Sequence, residues 1–123
     1  MCALKQNKER SKTLWLFCKS GYFSAVKHNA KPETILLRAR VKGDLERLAK
    51  AHRIDMKIRR TPAADYAFRA ELPAAEWTRA VMEESDAIDY GNFKNAVHDG
   101  TARDDAYLDV WSVMYRLQDV NLY

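Results

Sequence analysis

The segment 34–41, TILLRARV, places apolar residues at every second position. Successive side chains of a β-strand point to opposite faces of a sheet, so this pattern predicts a strand with one apolar face and one basic face. A strand that needs a core on only one side favours an antiparallel sheet. The apolar face carries Ile35, Leu37, Ala39 and Val41, and the opposite face carries Leu36, Arg38 and Arg40.

Two further stretches predict hairpins in the same sheet. Residues 14–28 contain two short β-prone runs on either side of Ser20-Gly21, a small-residue pair typical of a tight turn. Residues 56–60 and 66–72 also alternate, and the intervening TPAAD has turn chemistry. In the last run, Tyr66 and Phe68 fall on the apolar side and Arg69 falls on the basic side.

Two helices are predicted around these strands. Asp44 is a suitable N-cap for a helix that ends near Arg53, with leucines at helical spacing on one side. Pro73 suits the first turn of a second helix, over 74–85, because proline lacks the backbone N–H that this position leaves unpaired.

The C-terminal part of the chain predicts more helix. Residues 92–97 form one or two turns, and a longer helix runs from residue 104 or 105 to about 118. Its residues Trp111, Met114 and Leu117 recur at helical spacing, which predicts a core element. The order of elements predicts an α+β fold: an antiparallel sheet of about four or five strands covered by C-terminal helices.

A chain of 123 residues, of which 47% are apolar, is long enough for one hydrophobic core. We therefore predict a basic flexible arm over 1–13 and a single α+β domain over 14–123. No apolar run approaches the roughly 20 residues that a membrane helix needs, and no signal-peptide pattern is present. The expected location is the cytoplasm, with no membrane partner.

Residues that catalysis, metals or cofactors require are sparse. The four glycines form no phosphate-binding loop, and no serine has the neighbours that a nucleophile needs. An acidic run over 83–89 is typical of a solvated helix face. We expect no metal and no cofactor, and the residues predict no enzymatic activity of a recognised type. The two cysteines and three histidines lie apart in the chain, at Cys2, Cys18, His28, His52 and His98.

Charge is distributed very unevenly along the chain. Residues 1–60 contain 16 Lys and Arg against 5 Asp and Glu, a balance of +11, whereas residues 61–123 contain 5 against 12, a balance of −7. Two interpretations stay open at this point. Either a basic surface binds an anionic partner, or acidic helices neutralise a basic sheet within the folded chain.

The strand pattern predicts one basic patch, formed by Arg38, Arg40, Lys57, Arg59 and Arg69 if the strands are neighbours. Arginine forks bind phosphate and carboxylate groups in bidentate fashion, so the patch suits a nucleic acid or a nucleotide. RNA-binding sheets usually add exposed aromatic residues that stack on bases. Because the strand aromatics are predicted on the apolar face here, sequence-specific RNA recognition is disfavoured.

A second candidate ligand site lies around Tyr90, Asn92 and Lys94, where a phenol, an amide and an ammonium group surround a helix start. A structural interpretation accounts for the same residues. Asn92 caps the helix, Phe93 enters the core and Lys94 points to water.

Several motifs resemble a family of small uncharacterised proteins of bacteria and their phages. The similarity covers about residues 14–118 and implies a small stand-alone cytoplasmic protein, with no established activity, cofactor or catalytic residue. The motifs that carry it are Trp15-Leu16-Phe17, Gly21-Tyr22-Phe23-Ser24-Ala25-Val26, Arg38-Ala39-Arg40, Asp65-Tyr66 with Arg69, Asp89-Tyr90 with Asn92-Phe93-Lys94, and the segment 110–118, VWSVMYRLQ.

These observations predict a non-enzymatic binding module. Its ligand-binding residues are Arg38, Arg40 and Arg69, with Tyr90, Asn92 and Lys94, and its ligand is a nucleic acid or a nucleotide. The alternative is a phage or mobile-element protein that contacts a host protein through its acidic helical half. A small enzyme of an unrecognised type is the third hypothesis, and the oligomeric state stays open.

Overall fold

The computed structural model describes residues 12–119, which fall into two compact units, 12–88 and 89–119. The predicted basic arm lies outside the described residues except for Lys12 and Thr13, and Thr13 begins the first strand. No helix among the described residues is both long and apolar enough to cross a membrane.

The first unit contains a five-stranded antiparallel sheet in which the first three strands along the chain are neighbours and the fifth lies between the third and the fourth. The predicted N-terminal hairpin is confirmed, with Cys18 paired to Gly21 across its turn. The sheet and the helices that pack on it confirm the α+β class. The strands are β1 (Thr13–Cys18), β2 (Gly21–Lys27), β3 (Thr34–Ala39), β4 (Arg59–Arg60) and β5 (Phe68–Pro73).

Two helices cover one face of this sheet, α1 (Lys42–His52) and α2 (Ala74–Asp86). Their inward residues share one cluster with Ile35, Leu37 and Ala39, so the alternation in β3 identifies the core face correctly. Val41, predicted on the same face, is exposed because the strand ends at Ala39 and Val41 precedes α1. The ring of Phe23 meets that of Trp77 edge to face, with centroids 6.3 Å apart. Each large apolar side chain buried here contributes roughly 1.5–3 kcal/mol. The fully enclosed members include Phe23, Leu37, Leu45 and Leu48.

Asp44 does not cap α1, contrary to the prediction from local sequence. The helix begins two residues earlier, and the buried Asp44 carboxylate instead accepts a hydrogen bond from the backbone N–H of Tyr22 at 3.1 Å. It also pairs with Arg47, whose Nε donates to the carbonyl of Ser20 at 2.8 Å. A side chain at Gly21 would overlap this carboxyl group, so glycine is required at the hairpin turn.

The second hairpin differs from its prediction in two ways. Strand β4 is only two residues long, although Met56 and Ile58 before it pack against the core as predicted. Strand β5 begins at Phe68, so Tyr66 lies in the connecting loop. Thr61 closes that loop, because its hydroxyl donates to the carbonyl of Tyr66 at 2.8 Å. Tyr66 therefore does not follow the strand alternation, which predicted it on the apolar face.

The second unit contains α3 (Phe93–Ala96), α4 (Ala102–Tyr115) and a 3₁₀ turn (Arg116–Gln118). The prediction that the last helix is a buried core element is wrong. Trp111 is 45% exposed, Met114 57% and Leu117 47%. Apolar side chains such as Leu108 and Val113 lie on other sides of α4, so the apparent stripe does not define one inward face.

Candidate functional site

The strand register places a distinctive set of side chains on the sheet face opposite α1 and α2. Residues directly paired in an antiparallel sheet project to the same side. In the described part of the first unit, no helix packs on this open face. Its central row runs Trp15, Ser24, Arg38, Arg69 and Arg59, and the adjacent rows carry Phe17 with Tyr22 and Val26, Leu36 and Glu71.

Three arginines face one another directly along the central row. Arg38 pairs with Arg69 across β3 and β5, and Arg69 pairs with Arg59 across β5 and β4. Like charges placed directly opposite each other destabilise a sheet. None of these residues, nor Arg40, forms an ion pair with a carboxylate of residues 12–88. Within this unit the row therefore has no ion-pair partner, and the nearest electrostatic contribution from a carboxylate is that of Glu71, whose pKa is lowered chiefly by its hydrogen bond from Lys31 and to a smaller extent by the charge of Arg59.

Neutral groups hold the arginines in place. Arg38 donates from Nη2 to the hydroxyl of the buried Ser24 at 2.7 Å, and its Nε is buried without a hydrogen-bond partner. Arg69 donates from Nε to the Thr61 hydroxyl at 3.1 Å. These contacts fix the guanidinium groups but do not neutralise them. The position of the predicted site residues Arg38, Arg40 and Arg69 on one face agrees with the strand pattern.

Aromatic rings lie directly beside the arginines. The guanidinium groups of Arg40 and Arg38 lie 4.0 and 4.8 Å from the ring centroid of Tyr66. The hydroxyl of Tyr66 is 2.9 Å from that of Tyr22, whose ring stacks on Phe17 at a centroid distance of 4.4 Å. Burial, together with the hydrogen bond to Tyr66, raises the pKa of Tyr22. The Tyr22 phenol therefore stays neutral and does not cancel the arginine charge.

The sequence pattern placed both strand aromatics of the second hairpin on the core face. This is confirmed for Phe68, which packs against the core, whereas Tyr66 is buried beside Arg38 and Arg40 on the open face. The signal for the accessible rings of the open face is in β1, where Trp15 and Phe17 alternate with Leu14, Leu16 and Cys18. Trp15 is 67% exposed, and its ring meets Tyr22 edge to face at 6.3 Å. The open face thus combines cationic groups with accessible aromatic rings.

A cleft of about 410 Å³ lies at this combination of residues. Arg40 donates a hydrogen bond to the backbone carbonyl of Asp65 at the cleft, and the side-chain Oδ1 of Asp65 accepts from the N–H of Tyr66 at 3.0 Å. The cleft therefore offers both cationic donors and a carboxylate acceptor. It is lined by Thr13, Trp15, Arg38, Arg40, Asp65 and Tyr66.

The other predicted site residues belong to the second unit and have structural contacts there. Asn92 accepts a hydrogen bond from the N–H of Asn95 and so caps α3, and the Lys94 ammonium lies 4.4 Å from the ring centroid of Trp111. The ring of Tyr90 lies 6.4 Å from that of Phe93. With only four residues, α3 has too few aligned peptides to form an anion site at its N-terminus.

A second charged cluster lies on the helix-covered side of the sheet. His52 in α1 is buried, and its Nδ1 lies 2.8 Å from Glu83 while its Nε2 contacts Glu84. The hydroxyl of Ser20 donates to Glu84 at 2.8 Å. Arg79 also pairs with Glu83, at 3.1 Å. These acidic residues of α2 thus contact His52 and Arg79 and not the arginines of the open face.

Comparisons of the chain with protein-family models, with curated proteins and with solved structures give no match.

Proposed function

We propose that the open sheet face binds single-stranded nucleic acid. The observation that carries this proposal is the arginine row, which has no carboxylate partner within residues 12–88, next to accessible aromatic rings. A phosphodiester chain brings one negative charge per nucleotide to the row and relieves the repulsion between facing arginines.

The aromatic rings support a single strand as the ligand in preference to a duplex. Bases of a single strand are free to stack on protein rings and on guanidinium planes, whereas duplex bases already stack on one another. Trp15 offers an exposed indole ring, and the guanidinium of Arg40 lies nearby, 4.0 Å from the ring centroid of Tyr66. Phosphate contacts and base stacking can therefore occur on the same face.

The proposal is tested by fluorescence anisotropy with a labelled single-stranded 12-mer at low salt. Substitution of Arg38→Gln together with Arg69→Gln should weaken binding roughly tenfold for each arginine, the usual effect of a lost charge-assisted hydrogen bond. The slope of log affinity against log salt should fall by about 0.7 per lost contact.

The matched control is Lys42→Gln with Lys50→Gln, which makes the same charge change on exposed residues of α1. These lysines lie on the helix that covers the other face, so binding should change little. An equal loss in both double variants would reduce the interaction to net charge and contradict the proposed face. Absence of oligonucleotide binding by the wild type would overturn the proposal outright.

A further inference from the structure

We infer that the cleft beside Trp15 is a nucleobase subsite that prefers guanine. The inference rests on the proposed function and names the base that the bound strand presents at this point. Its foundation is a juxtaposition: an exposed indole ring, two guanidinium groups and one carboxylate line the same cleft of about 410 Å³.

Stacking places the base but does not select it, because every base has a π face. Trp15 supplies the ring on one side of the cleft. The guanidinium of Arg40 lies against the ring of Tyr66, 4.0 Å from its centroid, and serves the cleft as a hydrogen-bond donor. The indole alone favours occupancy by any base.

The polar groups of the cleft supply the selection. A carboxylate only accepts hydrogen bonds, and a guanidinium only donates them. Guanine presents two neighbouring donors, N1–H and the N2 amino group, on its Watson–Crick edge, and two acceptors, O6 and N7, on the next edge. Asp65 matches the donors and Arg40 matches the acceptors. Adenine and cytosine each place a ring-nitrogen acceptor beside their amino group, where a carboxylate repels it.

The orientation of the carboxylate is partly fixed before a ligand arrives. Oδ1 of Asp65 accepts from the N–H of Tyr66 at 3.0 Å, and Arg40 is anchored to the carbonyl of Asp65. A pre-set acceptor and donor lose little conformational freedom on binding, which sharpens the preference between bases.

The test compares the pentanucleotides TTGTT, TTATT, TTCTT and TTTTT in binding to the full chain, followed by quenching of Trp fluorescence. We expect TTGTT to bind at least about fivefold more tightly than the other three, the effect of one bidentate base contact. In Asp65→Asn this preference should disappear while affinity for TTTTT is kept or slightly increased. Asparagine retains the Oδ1 acceptor for Tyr66, so the loop geometry survives the change.

Two controls separate this inference from the proposed function. Asp55→Asn makes the same charge change at an exposed position and should leave the guanine preference intact. Trp15→Leu should weaken binding of all four pentanucleotides roughly tenfold and abolish most of the quenching. Equal binding of the four by the wild type, or a guanine preference that survives Asp65→Asn, would overturn the subsite and leave nucleic-acid binding intact. Failure of every pentanucleotide to bind would overturn both the guanine subsite and the proposed nucleic-acid binding.

Discussion

The two faces of the sheet differ in whether their basic side chains contact carboxylates. On the helix-covered face, His52 is buried between Glu83 and Glu84, and both of its ring nitrogens contact a carboxylate. On the open face, Arg38 and Arg69 lie directly opposite each other, and their hydrogen bonds go to the hydroxyl groups of Ser24 and Thr61. The same strands thus separate a histidine in contact with two carboxylates from a row of arginines that forms no ion pair with a carboxylate of residues 12–88.

This difference distinguishes charges that stabilise the fold from charges that are available to a ligand. A buried ion pair holds two helices together because removal of either partner leaves a charge away from water. A row of like charges costs repulsion, which the hydrogen bonds to Ser24 and Thr61 do not neutralise. This unneutralised repulsion is the reason why we propose a ligand for the row.

The largest effect that would sharpen this comparison concerns Cys18, whose thiol lies near Glu84 in the helix-covered cluster of His52, Glu83 and Glu84. Burial, with a smaller contribution from the charge of Glu84, raises the pKa of Cys18 from its ordinary value of 9.0 to about 12. The thiolate fraction at pH 8 is then roughly a thousandfold lower than for a free thiol. In a Cys2→Ser variant, iodoacetamide should therefore modify Cys18 roughly a thousandfold more slowly in the folded protein than in urea, as measured by mass spectrometry. Equal rates would mean that the helix-covered side is open to solvent.

The next effect concerns the helix-covered cluster of His52, Glu83 and Glu84 itself. His52→Leu leaves the Glu84 carboxylate beside the core without its imidazole partner, and such a loss typically costs about 3 kcal/mol, or about a hundredfold in the folding equilibrium. Urea unfolding measures the change. Lys50→Leu on the same helix is the control and should change stability little, because Lys50 is exposed.

The acid dependence of stability gives a second readout of the same variant. Hydrogen bonds from His52 and Arg79 lower the pKa of Glu83. Burial raises the pKa of Glu84, but the hydrogen bonds from His52 and Ser20 together outweigh burial, so the pKa of Glu84 is also lowered. A carboxyl group with a lowered pKa contributes stability that is fully present above its unfolded pKa and lost as the pH falls through its folded pKa. Wild-type stability should thus fall below about pH 4.5, the ordinary value. His52→Leu should lose less over that range, and an unchanged pH profile would contradict the ion-pair role of His52.

The contrast also explains how much of the molecule could be predicted from the sequence. The alternation in 34–41 identified both the core face and the basic face, because a period of two residues fixes which way a strand's side chains point. Arg38, Arg40 and Arg69 followed from that rule. The helix-covered cluster did not follow, because His52 and Glu84 are 32 residues apart and meet only when α1 and α2 pack.

Tyr66 and Asp44 show why other details escaped prediction. Tyr66 continues the alternation of β5 in sequence, but the hairpin closes at Thr61 and Ala67, so Tyr66 lies outside the ladder. Asp44 has the local chemistry of a cap, yet its carboxylate binds the N–H of Tyr22 in a different hairpin. In both cases a tertiary contact outweighs the local preference that sequence patterns report.

The smallest expected effect is also the one that most directly breaks or supports the assignment of the open face. Arg69→Glu replaces two facing like-charge pairs, with Arg38 and with Arg59, by two opposite-charge pairs. Cross-strand pairs contribute roughly 0.2–1 kcal/mol each, and the variant loses the hydrogen bond to Thr61, so the free energy of unfolding should stay unchanged or rise by up to about 1 kcal/mol. Oligonucleotide affinity should fall in the same variant.

A charge reversal that preserves or increases stability while it weakens binding is the signature of a residue kept for a ligand. Lys50→Glu makes the same change in net charge on α1 and should leave oligonucleotide affinity close to that of the wild type. If Arg69→Glu instead unfolds at clearly lower urea concentrations than Arg69→Gln, which also loses the hydrogen bond to Thr61, the row is neutralised by a carboxylate within the folded chain. The uneven charge along the sequence would then serve folding, because a carboxylate that loses its arginine is left facing a new negative charge, and the contrast between the two sheet faces would disappear.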